Sequence, residues 1–150
     1  MGREIERKYR VTGDGWRAGV TKSTRIRQGY IFTDDRGNLR VRISDDETAV
    51  ITIKSGGGFS RAEFEYPVPI ADGRELMALA GRRTIDKTRY SVTFGDKEWI
   101  VDVFEGRHKG LVLAEIELES EDEPFDRPDW AGEDVTDNPD MSNAALAGTR

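Results

Sequence analysis

The chain has 150 residues, no cysteine and a single histidine, with 23 Lys+Arg against 29 Asp+Glu and a formal net charge of -6. That length supports one domain with a real core and not two comfortable ones. Composition excludes a disulfide framework, a thiolate zinc site and a multi-histidine metal centre, and the acidic balance argues against nucleic acid as a partner unless the basic residues gather in one place.

No apolar run is long enough to span a membrane and the N-terminus carries no signal-peptide apolar region, so a cytoplasmic protein with no membrane partner is expected. Any metal would be held by oxygen, which suits Mg²⁺ or Mn²⁺.

Taken in order, Arg3 to Arg10 reads as a strand with Glu4, Glu6 and Lys8 on one face, because successive strand side chains point to opposite sides. Two carboxylates with an ammonium beside them make a poor core face. They suit a divalent metal and its phosphate, or an exposed edge strand carrying solvated charge. Residues 13–24, rich in Gly and Thr, read as a loop. Arg25 to Phe32 is a strand in which Gly29 marks a bulge that would shift the parity of Tyr30. After a turn at Asp34 to Asn38, Leu39, Val41 and Ile43 alternate with Arg40 and Arg42. Thr48 to Lys54 sets Ile51 and Ile53 against Thr52 and Lys54. The following Gly56-Gly57-Gly58 lacks the Gly-Lys-Ser/Thr ending of a phosphate loop.

Ser60 to Tyr66 repeats the design of the first strand, with Arg61, Glu63 and Glu65 on one face. Asp72-Gly73-Arg74-Glu75 predicts a capping box opening a helix that stops at Gly81. Thr84 to Phe94 carries Lys87 and Arg89, and Trp99 to Phe104 sets Asp102 opposite Val101 and Val103. His108, in a polar turn, is expected to be solvated. Leu113 to Glu119 mirrors the first strand through Glu115, Glu117 and Glu119. From Glu121 the chain is an acidic, Pro-rich loop, and Ser142 caps a short helix from Asn143 to Ala147.

About eight strands result, and six carry ionic residues at alternate positions. An open antiparallel sheet with one polar face is compatible with this. A closed barrel of about eight strands would turn the ionic face into a lining. Like charges about 4 Å apart repel by roughly 4 kcal/mol at an effective dielectric near 20, so such a lining needs occupants. A metal-bound polyphosphate supplies anion and cation together. The apolar strand faces would pack outward against the helix, the C-terminal segment or a second copy, which admits a homodimer.

The ordered set Glu4-x-Glu6-x-Lys8, Arg40-x-Arg42, Thr52-Ile53-Lys54, Arg61-x-Glu63-x-Glu65, Lys87-x-Arg89-Tyr90, Val101-Asp102 and Glu115-x-Glu117 resembles the CYTH proteins, the triphosphate tunnel metalloenzymes. The likeness runs from Glu4 to about Ala147. It implies a mainly β (α+β) fold: one domain, residues 1–150, built as an eight-stranded antiparallel β-barrel around a charged tunnel with a few short helices. The C-terminal loop and helix would begin near residue 120. Members hydrolyse inorganic triphosphate, nucleoside triphosphates or thiamine triphosphate, and one branch cyclises ATP. Arg27-Gln28-Gly29-Tyr30 and Lys54-Ser55-x-Gly57-Gly58 are similar to short bacterial members acting on inorganic triphosphate.

The resemblance implies metal carboxylates at Glu4, Glu6, Glu115 and Glu117, with Asp102 touching metal-bound water. It implies tunnel acids at Glu63 and Glu65 and a triphosphate clamp of Lys8, Arg27, Arg40, Arg42, Lys54, Lys87 and Arg89. Tyr30 would sit with Lys8 in the catalytic group. Two places depart from the family's pattern: Asp140-Met141-Ser142-Asn143 stands where an Arg-Tyr pair often precedes the asparagine, and His108 stands where an apolar residue is usual. The reading is metal-dependent hydrolysis of inorganic triphosphate; an adenylyl cyclase of the same family, a nucleoside or thiamine triphosphatase and a non-catalytic polyphosphate- or nucleotide-binding module are the alternatives, and phosphate or cyclic nucleotide release separates them.

Overall fold

A computed structural model describes residues 5–55 and 62–148, and the backbone of residues 2–3. Glu4, the Gly56-Gly57-Gly58 connection and Arg61 lie outside the described residues. The elements are β1 (Gly2–Arg3), β2 (Glu6–Val11), β3 (Val20–Asp34), β4 (Gly37–Ser44), β5 (Thr48–Ser55), β6 (Ala62–Val68), α1 (Ile70–Ala80), β7 (Thr84–Phe94), β8 (Lys97–Phe104), β9 (Val112–Glu117), β10 (Ala131–Asp134) and α2 (Asn143–Leu146). Among the described residues no helix is long and apolar enough to cross a membrane.

The strands form one antiparallel sheet in the order β1-β6-β5-β4-β3-β7-β8-β9-β2-β10. β1 and β2 are two pieces of the single predicted first strand. β1 pairs with β6 at one end of the order, and β2 pairs with β9 near the other. Only three residue steps part Arg3 from Glu6, at most about 11 Å of chain. The sheet therefore curls until its ends meet at the N-terminal segment. β10, expected as loop, pairs with the later half of β2, Ala131 opposite Val11 and Asp134 opposite Tyr9. Its four residues show no apolar alternation; the unpaired edge of β2 makes it a strand.

Three corrections concern local structure. The stretch expected as a loop before Arg25 is a 3₁₀ turn at Gly15–Gly19 that buries Trp16, followed by the first residues of β3, which pair with β7 through Val20 and Val92. Its Thr-Lys-Ser side chains carry no periodic signal, so a long-range ladder decides its form. α1 begins at Ile70 behind Pro69, without the capping-box bond, and leaves Asp72 in the first turn, where a carboxylate suits the helix dipole. Gly29 makes no bulge. It pairs regularly with Val41 and Thr84, and the irregularity falls between Tyr30 and Phe32. Gly29 is needed instead because a Cβ there would lie 2.7 Å from Met77 Sδ and 2.8 Å from Ala80 Cβ. Gly73 faces the sheet from the helix side, where a Cβ would lie 2.4 Å from Ala49 Cβ. The two glycines let α1 seat directly on β3, β4 and β5.

The apolar residues divide into three groups. Outside the barrel, Tyr9, Val101, Ile116 and Trp99 are covered by Trp16 and Trp130. Trp99 is fully buried, with its ring 5.7 Å from Tyr9 and 5.4 Å from Trp130. Each such pair adds about 0.5–1.5 kcal/mol beyond area burial. Also outside, Val41, Ile43 and Ala49 lie under Met77 of α1. The third group, Tyr30, Ile85, Phe104 and Leu113 with Leu146 of α2, lies inside. Ile85 is two residues from Lys87, Phe104 two from Asp102 and Leu113 two from Glu115, so all share the inner face. One stretch of the barrel interior is thus an apolar plug, and the ionic groups begin beside it.

Candidate active site

Beside the plug lies a cavity of about 170 Å³ lined by Glu6, Arg40, Arg42, Lys54, Glu63, Glu65, Arg89, Ile100, Glu115, Glu117 and Asn143. Strand parity and register place its charges. Glu6 stands opposite Glu117 and Lys8 opposite Glu115 on β2 and β9. Lys54 stands opposite Glu63 on β5 and β6. Since β6 adjoins β1, the acidic residues of β9, β2 and β6 form one arc. The strands β5, β4, β3 and β7 form the facing arc, with Lys54, Arg40, Arg42, Lys87 and Arg89. Among the lining residues none is aromatic.

The cations fall into two kinds. Lys87 Nζ donates to Asp102 Oδ2 at 2.7 Å and to Asn143 Oδ1 at 3.2 Å, while Arg89 grips Asp102 with Nε at 2.8 Å and Nη2 at 2.9 Å. Burial alone would raise the Asp102 carboxyl, but Lys87 and Arg89 overcome it and hold the group well below the usual carboxylate range. Burial outweighs the pull of Asp102 on Lys87 and, with Arg89 repelling it, brings the amine down to about 8. Lys8 Nζ lies 3.5 Å from Glu115 and donates to the Met141 carbonyl at 3.1 Å. Burial opposes ionisation of Glu115, yet Lys8 holds its pKa below the ordinary value.

Arg40 and Arg42 are different. Among the described residues neither makes an ion pair. Arg40 is 5% exposed, and among the described residues its Nε–H has no hydrogen-bond partner. Arg42 Nε donates to Gln28 Oε1 at 2.9 Å. Burial, with Arg40 and Arg89 close by, pulls Arg42 down to about 10. An unpaired buried donor on a charged group is costly. An anion against β4 would satisfy it.

Most of the residues singled out from the sequence meet here, and four do not behave as expected. Arg27 lies on the outer face, 58% exposed and 4.0 Å from Asp86. Gln28 takes the inner position, because Tyr30 keeps regular parity with Gln28 and not with Arg27. Asp102 points inward, where three hydrogen bonds from Lys87 and Arg89 engage both its oxygens. The Tyr30 hydroxyl oxygen accepts from Gln28 Nε2 at 2.9 Å and shares no hydrogen bond with Lys8 among the described residues. His108, expected in solvent, meets the Leu146 carbonyl and packs edge-on against Phe104. With Arg107, which donates to the Leu146 and Ala147 carbonyls, it clasps the end of α2.

The departure at Asp140-Met141-Ser142-Asn143 does not leave the barrel open. Ser142 Oγ caps α2 through the Ala145 N–H, Met141 holds Lys8, and Asn143 reaches Lys87. Gln28, Met141 and Asn143 are the contributors that sequence reasoning missed. Inner-face parity could have found Gln28; a backbone carbonyl such as that of Met141 leaves no sequence signal.

Among the described residues no three acidic groups converge as a complete metal-ligand set, and Glu4 lies outside them. The carboxylate oxygens of Glu6, Glu115 and Glu117 are nonetheless the hard donors a divalent cation takes. Glu6 and Glu117 face each other directly, a like-charge pair that a cation would relieve.

The CYTH domain profile matches residues 2–143. The chain belongs to the CYTH family. Within that family it is 40% identical to a protein of Acetivibrio thermocellus named inorganic triphosphatase, over 97% of this chain and 94% of that one. It is 38% identical to the inorganic triphosphatase of Nitrosomonas europaea, over 96% of each chain. A crystal structure of an inorganic triphosphatase superposes with a TM-score of 0.72 at 35% identity, covering 98% of this chain and 95% of that chain. A Pyrococcus horikoshii protein matches at a TM-score of 0.61 and 18% identity, over 79% of this chain and 80% of that one, a likeness of fold alone.

Proposed function

We propose that this CYTH protein is a cytoplasmic, metal-dependent triphosphatase that hydrolyses inorganic triphosphate to pyrophosphate and phosphate. The observation that carries the reading is the facing of two arcs across one cavity, acidic on β2, β9 and β6 and basic on β4, β5 and β7, with the buried Nε–H of Arg40 lacking an acceptor among the described residues. The names of the two curated relatives support the same substrate. A cavity lined by ionic groups with only Ile100 and Asn143 besides, and with no ring to stack on a base, favours a bare triphosphate over a nucleotide.

Arg40, Arg42 and Lys54 take the phosphate charge, which spreads over the equatorial and leaving oxygens as the reaction proceeds. Arg89 and Lys87, fixed by Asp102, form a rigid cationic wall behind them. Lys8 joins this group at the plug end, held by Glu115 and Met141. Glu63 and Glu65 balance the basic arc, Glu63 from directly across Lys54. Mg²⁺ or Mn²⁺ would be held by Glu6, Glu115 and Glu117, with Glu4 as a further carboxylate, and would supply Lewis-acid charge neutralisation and lower the pKa of a bound water.

Arg42→Ala is expected to lower kcat/KM for inorganic triphosphate about 100-fold, the scale of losing one preorganised charge donor. Arg27→Ala, on the outer face, is expected to stay within about twofold of wild type. Steady-state phosphate release checks both. An unchanged kcat/KM in Arg42→Ala would remove β4 from the clamp, and a large loss in Arg27→Ala would contradict the assignment of faces.

A further inference from the structure

Gln28 is fully buried on β3, directly opposite Arg42 on β4. Its amide makes two bonds of 2.9 Å, accepting at Oε1 from Arg42 Nε and donating through Nε2 to the Tyr30 hydroxyl oxygen. A guanidinium can only donate, so the amide carbonyl must face Arg42 and the NH₂ group must face Tyr30. The orientation is fixed from both sides. The bond uses the inner Nε–H of Arg42 and leaves its two terminal nitrogens to the cavity it lines.

The partner of Arg42 is neutral. Arg89 and Lys87 share the carboxylate of Asp102, and Lys8 lies beside that of Glu115, so each of these cations has an anion next to it. Arg42 is held without an anion. A glutamate at position 28 could orient Arg42 equally well, but it would cancel its charge.

We propose that Gln28, anchored by Tyr30, is a positioning residue that aims the Arg42 guanidinium into the cavity while leaving its charge unbalanced for phosphate. This rests on a triphosphate being the ligand of the cavity. The test is a double-mutant cycle over Gln28→Leu and Arg42→Ala. It is read as KM for inorganic triphosphate and as Kd, by calorimetry, for the imido-bridged triphosphate analogue, which is not turned over. Gln28→Leu is expected to weaken binding about tenfold, the worth of one hydrogen bond to a charged group. In the Arg42→Ala background the same substitution is expected to change Kd by less than about twofold.

Unchanged binding in Gln28→Leu, or a full tenfold loss with Arg42 already removed, overturns the proposal. If Gln28→Leu does not fold, Gln28→Glu carries the test. It keeps an acceptor for Arg42 and is expected to retain the wild-type melting midpoint while KM rises at least about tenfold. A wild-type KM in that variant overturns the proposal equally. A wild-type protein that binds no analogue overturns the triphosphate reading as well; tight binding with additive effects overturns the role of Gln28 alone.

Discussion

Asp102→Ala is expected to destabilise the folded protein by about 3–5 kcal/mol, the cost of removing one partner from a buried ion cluster. Asp102 is 3% exposed and Lys87 fully buried, and the carboxylate accepts three hydrogen bonds from Lys87 and Arg89. Without it, two cations stay inside with no anion between them. Lys87, already down to about 8, can discharge by losing its proton, while Arg89 cannot. The deficit should therefore narrow as pH rises. The sign follows from linkage: Asp102 holds the Lys87 value up, so its loss lowers that value further, and between the lowered value and about 8 rising pH stabilises the variant while the wild type gains nothing. Denaturant unfolding at two pH values checks this. At this chain length the loss corresponds to a melting midpoint lower by on the order of 10 °C. An unchanged midpoint would mean that Asp102 is not needed by Lys87 and Arg89, and would return it to the pool of metal ligands.

Glu6→Ala is expected to have the opposite profile: stability close to wild type and metal-dependent turnover reduced at least about 1,000-fold, as for loss of a group that supports a Lewis-acid site. Glu6 lines the cavity and faces Glu117 across the β2–β9 ladder. Glu6 is only half-buried on the cavity wall and lies outside the buried Asp102 ion cluster, so the fold loses little. Divalent metal binding should weaken in parallel. Phosphate release titrated against Mg²⁺ and Mn²⁺, with a melting curve for each variant, separates the two effects. Wild-type turnover in Glu6→Ala would place the metal elsewhere.

The division between these two carboxylates shows what sequence periodicity can and cannot convey. Alternation alone put Arg40 with Arg42, Glu115 with Glu117 and Glu63 with Glu65, and the structure puts each pair on the inner face of its strand. It also put Asp102 inside. Whether Asp102 meets a metal or two cations depends on register, Arg89 lying directly opposite it on β7. Register is a long-range property that no local window contains. The same limit explains Arg27. Gly29 reads as a bulge, but its missing Cβ serves the approach of α1, so the parity of β3 runs unbroken from Ile26 through Gln28 to Tyr30. β10 was hidden because an edge can recruit a strand of any composition. The apolar plug was hidden because Ile85, Phe104 and Leu113 look like ordinary core residues, and only closure of the sheet puts them in line with the ionic lining.

The central claim is a metal-dependent triphosphatase acting on inorganic triphosphate. Phosphate release from inorganic triphosphate, ATP and thiamine triphosphate, side by side with Mg²⁺, Mn²⁺ or EDTA, tests it most directly. The expected result is fast release from inorganic triphosphate, abolished by EDTA and much slower with the two larger substrates. Release that survives EDTA, or none from inorganic triphosphate with either metal, would contradict it.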